Sequence, residues 1–138
     1  AEGGRLPGKA PALTELQELY LGANTIGYLG MLSSMTDLRI LFLYVCNLSD
    51  ITSLGTVVSL EELTLSANQI TDISPLASLT NLKKLDLSAN LIENIPPLVN
   101  NPGIGEGDMV LLTGNPLSAV SISDHIPILE SRGATVTR

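Results

Sequence analysis

Aromatic side chains are nearly missing from this chain. Its 138 residues hold no tryptophan, one phenylalanine and three tyrosines, so aromatics make up 3% of a sequence that is 44% hydrophobic. Globular cores usually draw volume from aromatic rings. A core of leucine and isoleucine without them implies a stack of similar layers. A single cysteine, Cys46, excludes an intrachain disulfide. One histidine, His125, and one thiol are too few for a zinc constellation. Catalysis would further need a nucleophile or carboxylate held near the imidazole, and no motif supplies one. The expectation is a non-enzymatic chain without a cofactor, in which His125 is a surface or packing residue. Positive charge is also scarce: seven Lys and Arg against fourteen Asp and Glu give a net −7. The basic residues are scattered, which argues against nucleic acid and anionic membranes as partners. No apolar run approaches the ~18 residues of a membrane span, so no membrane insertion is expected.

What the sequence has in abundance is leucine at fixed intervals. Segments starting at Leu16, Leu38, Leu60 and Leu82 repeat every 22 residues, each reading L-x-x-L-x-L-x-x-N/C-x-L/I. A fifth unit, GDMVLLTGNPL, sits three residues out of step and aligns Val110, Leu112, Asn115 and Leu117 with the same positions. Alternation in x-L-x-L-x puts the leucine pairs Leu19/Leu21, Leu41/Leu43, Leu63/Leu65 and Leu85/Leu87 on one face of short strands. Each coil can bury that face only against its neighbours, so the strands should be parallel and in register. The turn after each strand points backbone groups inward, away from water. Asn24, Asn68, Asn90 and Asn115 can satisfy them as a ladder of amides, with Cys46 in the same niche as a structural thiol. Twenty-two residues are too few for a strand and a full helix, so the return path should be extended or 3₁₀-like. Ser74-Pro75 suggests such a turn, with Ser74 as its N-cap.

These repeats resemble the leucine-rich-repeat superfamily, and the wording LTNLKKLDLSAN with ITDISPL resembles its bacterial, internalin-like branch. The closing stretch GDMVLLTGNPLS…HIPILESRGATV is similar to the cap of bacterial surface or secreted repeat proteins. The resemblance implies an α/β solenoid, a right-handed arc of five coils. It would carry a short parallel β-sheet on the concave face, a 3₁₀ or extended convex side and a C-terminal capping helix. It also implies an extracellular or cell-surface location and a protein or peptide partner, although the repeat motif specifies fold rather than ligand. One domain is expected across residues 1–138: a partial N-terminal repeat over 1–15, four repeats over 16–103, a fifth strand unit over 104–117 and a cap over 118–138. The Gly- and Pro-rich opening AEGGRLPGKAPAL reads as the tail of an earlier repeat. In the cap, Ser118 should start a helix running to about Arg132, bent by Pro127 and stopped by Gly133.

Three further patterns read as structural. Asp50 and Asp72 share one repeat position, with Asn94 next in the column. Capping of the convex turns accounts for them better than Ca²⁺, which wants six or more oxygens. Glu106 and Asp108 lie in a Gly-rich loop without EF-hand spacing. Asn47-Leu48-Ser49 matches the glycosylation acceptor pattern, a match of low specificity.

The register also names the residues that face outward from the strands: Glu18, Tyr20 and Gly22; Ile40, Phe42 and Tyr44; Glu62, Thr64 and Ser66; Lys84, Asp86 and Ser88; Met109, Leu111 and Thr113. Tyr20, Ile40, Phe42 and Tyr44 break the polar pattern and gather the only phenylalanine with two of the three tyrosines. Exposed aromatic clusters tend to mark contact surfaces. Leu111 is a second apolar departure, at a position where the resemblance implies an aspartate. These five are the candidate partner-binding residues. The alternatives are a self-associating spacer that forms a homodimer through them, or residues 1–13 folding back to cover them.

Overall fold

Each strand is three residues long and centred on an aliphatic residue that the alternation sends inward. In the computed structural model, which describes residues 13–138, these are β1 (Glu18–Tyr20), β2 (Ile40–Phe42), β3 (Glu62–Thr64), β4 (Lys84–Asp86), β5 (Met109–Leu111) and β6 (Thr135–Thr137). All pair in parallel and in sequence order, in one open sheet. Leu19, Leu41, Leu63, Leu85, Val110 and Val136 are aligned across it. The 22-residue spacing therefore becomes a register without slippage, and the fold is a leucine-rich-repeat solenoid.

The return path is 3₁₀ in the first three coils, over Gly30–Ser34, Thr52–Thr56 and Ser74–Ser78. In the fourth it is a short α-helix, α1 (Pro96–Val99). Leu32, Leu54, Leu76 and Leu98 drop from these segments into the core and are fully buried. Ser74 is not the N-cap that its sequence context suggests. The preceding Asp72 accepts a hydrogen bond from the Ser74 N–H at 2.9 Å, and Asp50 does the same for Thr52. A carboxylate two residues upstream outcompetes the hydroxyl, because it is a stronger acceptor and reaches the free N–H.

The amide ladder is the polar spine of the stack. The Asn68 Oδ1 accepts from the Cys46 and Leu48 N–H groups of the preceding coil, while its Nδ2 donates to the carbonyls of Leu43, Leu65 and Ser66. Asn90 and Asn115 repeat the arrangement, accepting from the Ile70 and Ile92 N–H groups. Cys46 occupies the equivalent niche, with its thiol directed at the Leu21 carbonyl at 3.2 Å. Asn24 is exposed and bonds only within its own turn among the described residues. The residue before each ladder position takes a left-handed backbone: Ala23, Val45, Ala67, Ala89 and Gly114 all have positive φ.

The longer fourth coil, from β4 to β5, carries a buried amide that the repeat pattern does not reveal. Asn101 donates to the Leu76 and Leu79 carbonyls and accepts from the Gly103 N–H. Position 103 must be glycine, since a Cβ there would overlap the Thr80 carbonyl.

The cap is more than a helix. Ser118 does cap its start, its Oγ accepting from the Ser121 N–H at 3.2 Å. A wide π-type turn over Ser121–His125 then precedes α2 (Ile126–Ser131). The π turn adjoins Pro127, whose ring nitrogen has no hydrogen to donate. Gly133, at φ 97°, reverses the chain into β6. The sheet therefore has six strands where the five repeat units account for five. The sixth comes from a three-residue segment with no leucine, held by a hydrogen bond from the Thr135 N–H to the Asp108 carbonyl. Residues 1–12, including most of the proposed partial repeat, lie outside the described residues.

Candidate functional site

The sheet face away from the core is laid out in rows fixed by the strand pairing. One row runs Glu18, Ile40, Glu62, Lys84, Met109 and Thr135; the next runs Tyr20, Phe42, Thr64, Asp86, Leu111 and Thr137. Tyr44 follows Phe42 two residues along, beyond the end of β2.

Tyr20, Ile40, Phe42 and Tyr44 all lie on this face, as the alternation requires. Tyr20 and Tyr44 are exposed, at 55% and 41%, and Ile40 and Phe42 are half-buried. The Tyr20 and Phe42 rings meet edge to face, with centroids 4.8 Å apart and planes at 63°. This geometry sets the positive edge of one ring against the negative face of the other. The Tyr44 ring lies across Gly22, where any Cβ would overlap it. Thus the turn after β1 contributes by having no side chain. Leu111 does not join this group. It lies on the same row as Phe42, but Thr64 and Asp86 stand between them. Its apolar neighbour is the exposed Met109.

Two carboxylates, Glu18 and Glu62, flank the aromatic group in the row of Ile40. The Tyr20 hydroxyl donates to Glu18 Oε1 at 2.9 Å. That bond, together with desolvation and the charges of Glu18 and Glu62, raises the Tyr20 phenol above its ordinary range. The signal was already in the register, since Glu18 and Tyr20 share a face and Glu62 stands one strand beyond Ile40. Farther along, the Asp86 carboxylate is engaged by the N–H and hydroxyl of Ser88.

At the edge of the sheet, Glu61 forms ion pairs with Arg39 at 3.5 Å and Lys83 at 3.4 Å, from the coils on either side. Desolvation works against the Glu61 charge, but Lys83 and Arg39 outweigh it and hold the carboxyl below its ordinary range. Asp50 and Asp72 are lowered too, chiefly by their hydrogen bonds to Thr52 and Ser74. They act as caps, and among the described residues no group of His, Cys, Asp and Glu is placed to hold a metal ion. No helix among those residues is long and apolar enough to cross a membrane. His125 sits in the cap with a buried Nδ1 that has no hydrogen-bond partner among the described residues.

Residues 58–100 match the family profile of leucine-rich repeats in two copies. Among solved structures, the chain is similar to internalin C2 of Listeria monocytogenes, with a TM-score of 0.74 and 29% identity over 91% of this chain and 53% of that one. It is similar also to an internalin, inlF, of the same species, with a TM-score of 0.71 and 34% identity over 79% of this chain and 32% of that one. The chain thus spans about half the length of the first and a third of the second. No curated protein matches it.

Proposed function

Since the chain is a leucine-rich-repeat, internalin-like protein, we propose that it is a non-enzymatic recognition module that binds a protein or peptide through the aromatic part of its concave sheet face. The observation that carries this reading is the cluster of Tyr20, Ile40, Phe42 and Tyr44, which leaves exposed apolar surface on the sheet face. Side chains on that face support no core, so contact with a partner explains their apolar character where stability does not. Aromatic anchors of this kind dominate interface energetics. Burying them supplies several kcal/mol at roughly 25 cal/mol per Å² before association costs. Leu111 with Met109 forms a lesser apolar spot at the far end of the same face. A place outside the cell or on its surface fits the likeness to internalins.

The second reading is a structural or self-associating segment of a larger surface protein, in which the same patch meets its copy in a homodimer. One double substitution separates the two readings. Phe42→Ser with Tyr44→Ser should leave the melting temperature nearly unchanged and abolish retention of a partner by the immobilised protein. If instead sedimentation shows a dimer becoming a monomer, self-association is the function of the patch. A variant that folds, binds and associates as before would sink both readings.

A further inference from the structure

The charge around the aromatic group constrains what can sit on it. Glu18 and Glu62 stand on either side of Ile40 in one row. Strands ~4.8 Å apart put their backbones roughly 10 Å from each other. The Tyr20–Phe42 pair lies in the adjoining row. Its hydrogen bond ties Glu18 against the ring of Tyr20, whereas no described residue donates a hydrogen bond to the Glu62 side chain. Cations are drawn to the faces of aromatic rings, and guanidinium groups pair with carboxylates in a planar fork. Within two strand spacings this face offers both.

We propose that the occupant is a basic peptide segment of a partner protein, with an arginine or lysine side chain lying between Glu18 and Glu62 and its charged head against the Tyr20–Phe42 pair. This rests on the reading of the sheet face as the contact surface and adds the sign of the partner's charge. An acidic segment would place carboxylate against carboxylate. A purely apolar one would cover Glu62 and leave its charge unpaired, a costly burial. A second copy of this chain, itself at net −7, would bring the same two carboxylates face to face. The basic segment pairs with both carboxylates and the rings at this end of the sheet, while Lys84, one strand beyond Glu62, repels it and bounds its extent. Electrostatic complementarity of this kind selects partners and speeds their encounter.

The test uses an octapeptide with two arginines separated by an apolar residue, and its twin in which citrulline, uncharged but isosteric, replaces each arginine. Titration of each into the labelled protein, followed by NMR, gives Kd and the location of binding. The arginine peptide should bind about tenfold tighter, the combined scale of one cation–π contact and two exposed ion pairs. Its shifts should centre on Tyr20, Ile40 and Phe42. Glu18→Gln with Glu62→Gln should bring the two peptides within about twofold of each other. Glu106→Gln with Glu130→Gln, a neutralisation of equal size outside the sheet rows, should leave the preference intact. Equal binding of the two peptides, equal loss in both double variants, or no binding at millimolar peptide would each overturn the proposal. The outcome for the broader reading is separate. If a captured partner is still lost on Phe42→Ser with Tyr44→Ser, the contact surface stands and only the basic occupant falls.

Discussion

Tyr44 and Gly22 form a ring-on-backbone contact across two coils: the phenol covers a position where a Cβ has no room. Gly22 does not occupy the left-handed region, and the atoms that a side chain there meets first belong to the movable ring of Tyr44. Gly22→Val should therefore swing Tyr44 off the sheet while changing stability by less than about 0.5 kcal/mol, as for most surface substitutions. Partner retention should drop severalfold although no aromatic residue has been touched. Unchanged retention together with a displaced Tyr44 ring, seen in the NMR spectrum, would remove Tyr44 from the contact surface.

The ladder gives a graded pair of substitutions. Asn68→Ala strips the acceptor from two buried N–H groups, those of Cys46 and Leu48, and the donor from three carbonyls. A loss of about 1–3 kcal/mol in urea unfolding is expected. Cys46→Asn should be neutral or stabilising, because an amide brings the oxygen acceptor that a thiol lacks. A loss above about 1 kcal/mol at position 46 would show that the niche has adapted to sulfur.

Val45 is the one β-branched residue in the left-handed column, at φ 55°, where its counterparts are alanine or glycine. It is exposed, so its side chain contributes little packing. Val45→Gly should relieve the strain of that conformation and raise stability by about 0.5–1 kcal/mol. The comparison is the urea midpoint at constant slope.

Removal of residues 118–138 takes away Ile126, Leu129, Ala134 and the sixth strand together, uncovering Leu98, Val110 and Leu112. An open solenoid end of this kind should aggregate or lose cooperative unfolding. A truncated chain that stays monomeric and melts as before would show that the last coil covers itself.

Acid should loosen the convex side and the sheet edge first. Asp50, Asp72 and Glu61 all titrate below their ordinary ranges in the folded chain. A depressed carboxylate stabilises the fold above the unfolded value, near pH 4. That contribution is lost as pH falls through the lower, folded value. The melting temperature should hold down to about pH 4 and decline beneath it. Asp50→Asn with Asp72→Asn should flatten part of the decline, and an identical profile in that variant would mean the caps contribute nothing measurable.

The period of the leucines carried most of this architecture, since strand register, the inward leucines and the amide ladder all follow from one spacing. What escaped is whatever the period does not govern. Thr135-Val136-Thr137 becomes a strand only because Gly133 turns the chain and β5 offers an edge. Asp72 caps a turn whose sequence cue is Ser74-Pro75, a competition between two acceptors that turn propensity does not decide. Asn101 belongs to the coil with extra residues, where there is no column to place it in. At the candidate site, alternation alone put Tyr20, Phe42 and Tyr44 on one face. The ring geometry, the shelf at Gly22 and the tether from Tyr20 to Glu18 depend on rotamers, which a one-dimensional pattern does not encode.

The constant register makes the sheet a ruler graduated in steps of ~4.8 Å. A partner laid along it is measured in whole strands, from the aromatic end at β1 and β2 to the polar mark at Lys84 and Asp86 and the apolar one at Met109 and Leu111. Because the third coil closes on the fourth through the same bonds with which the second closes on the third, a copy of residues 60–81 inserted in tandem would add one graduation without disturbing either end. Evolution can therefore lengthen the interval between marks by duplication, and redraw each mark by substitution, as two independent operations on one gene.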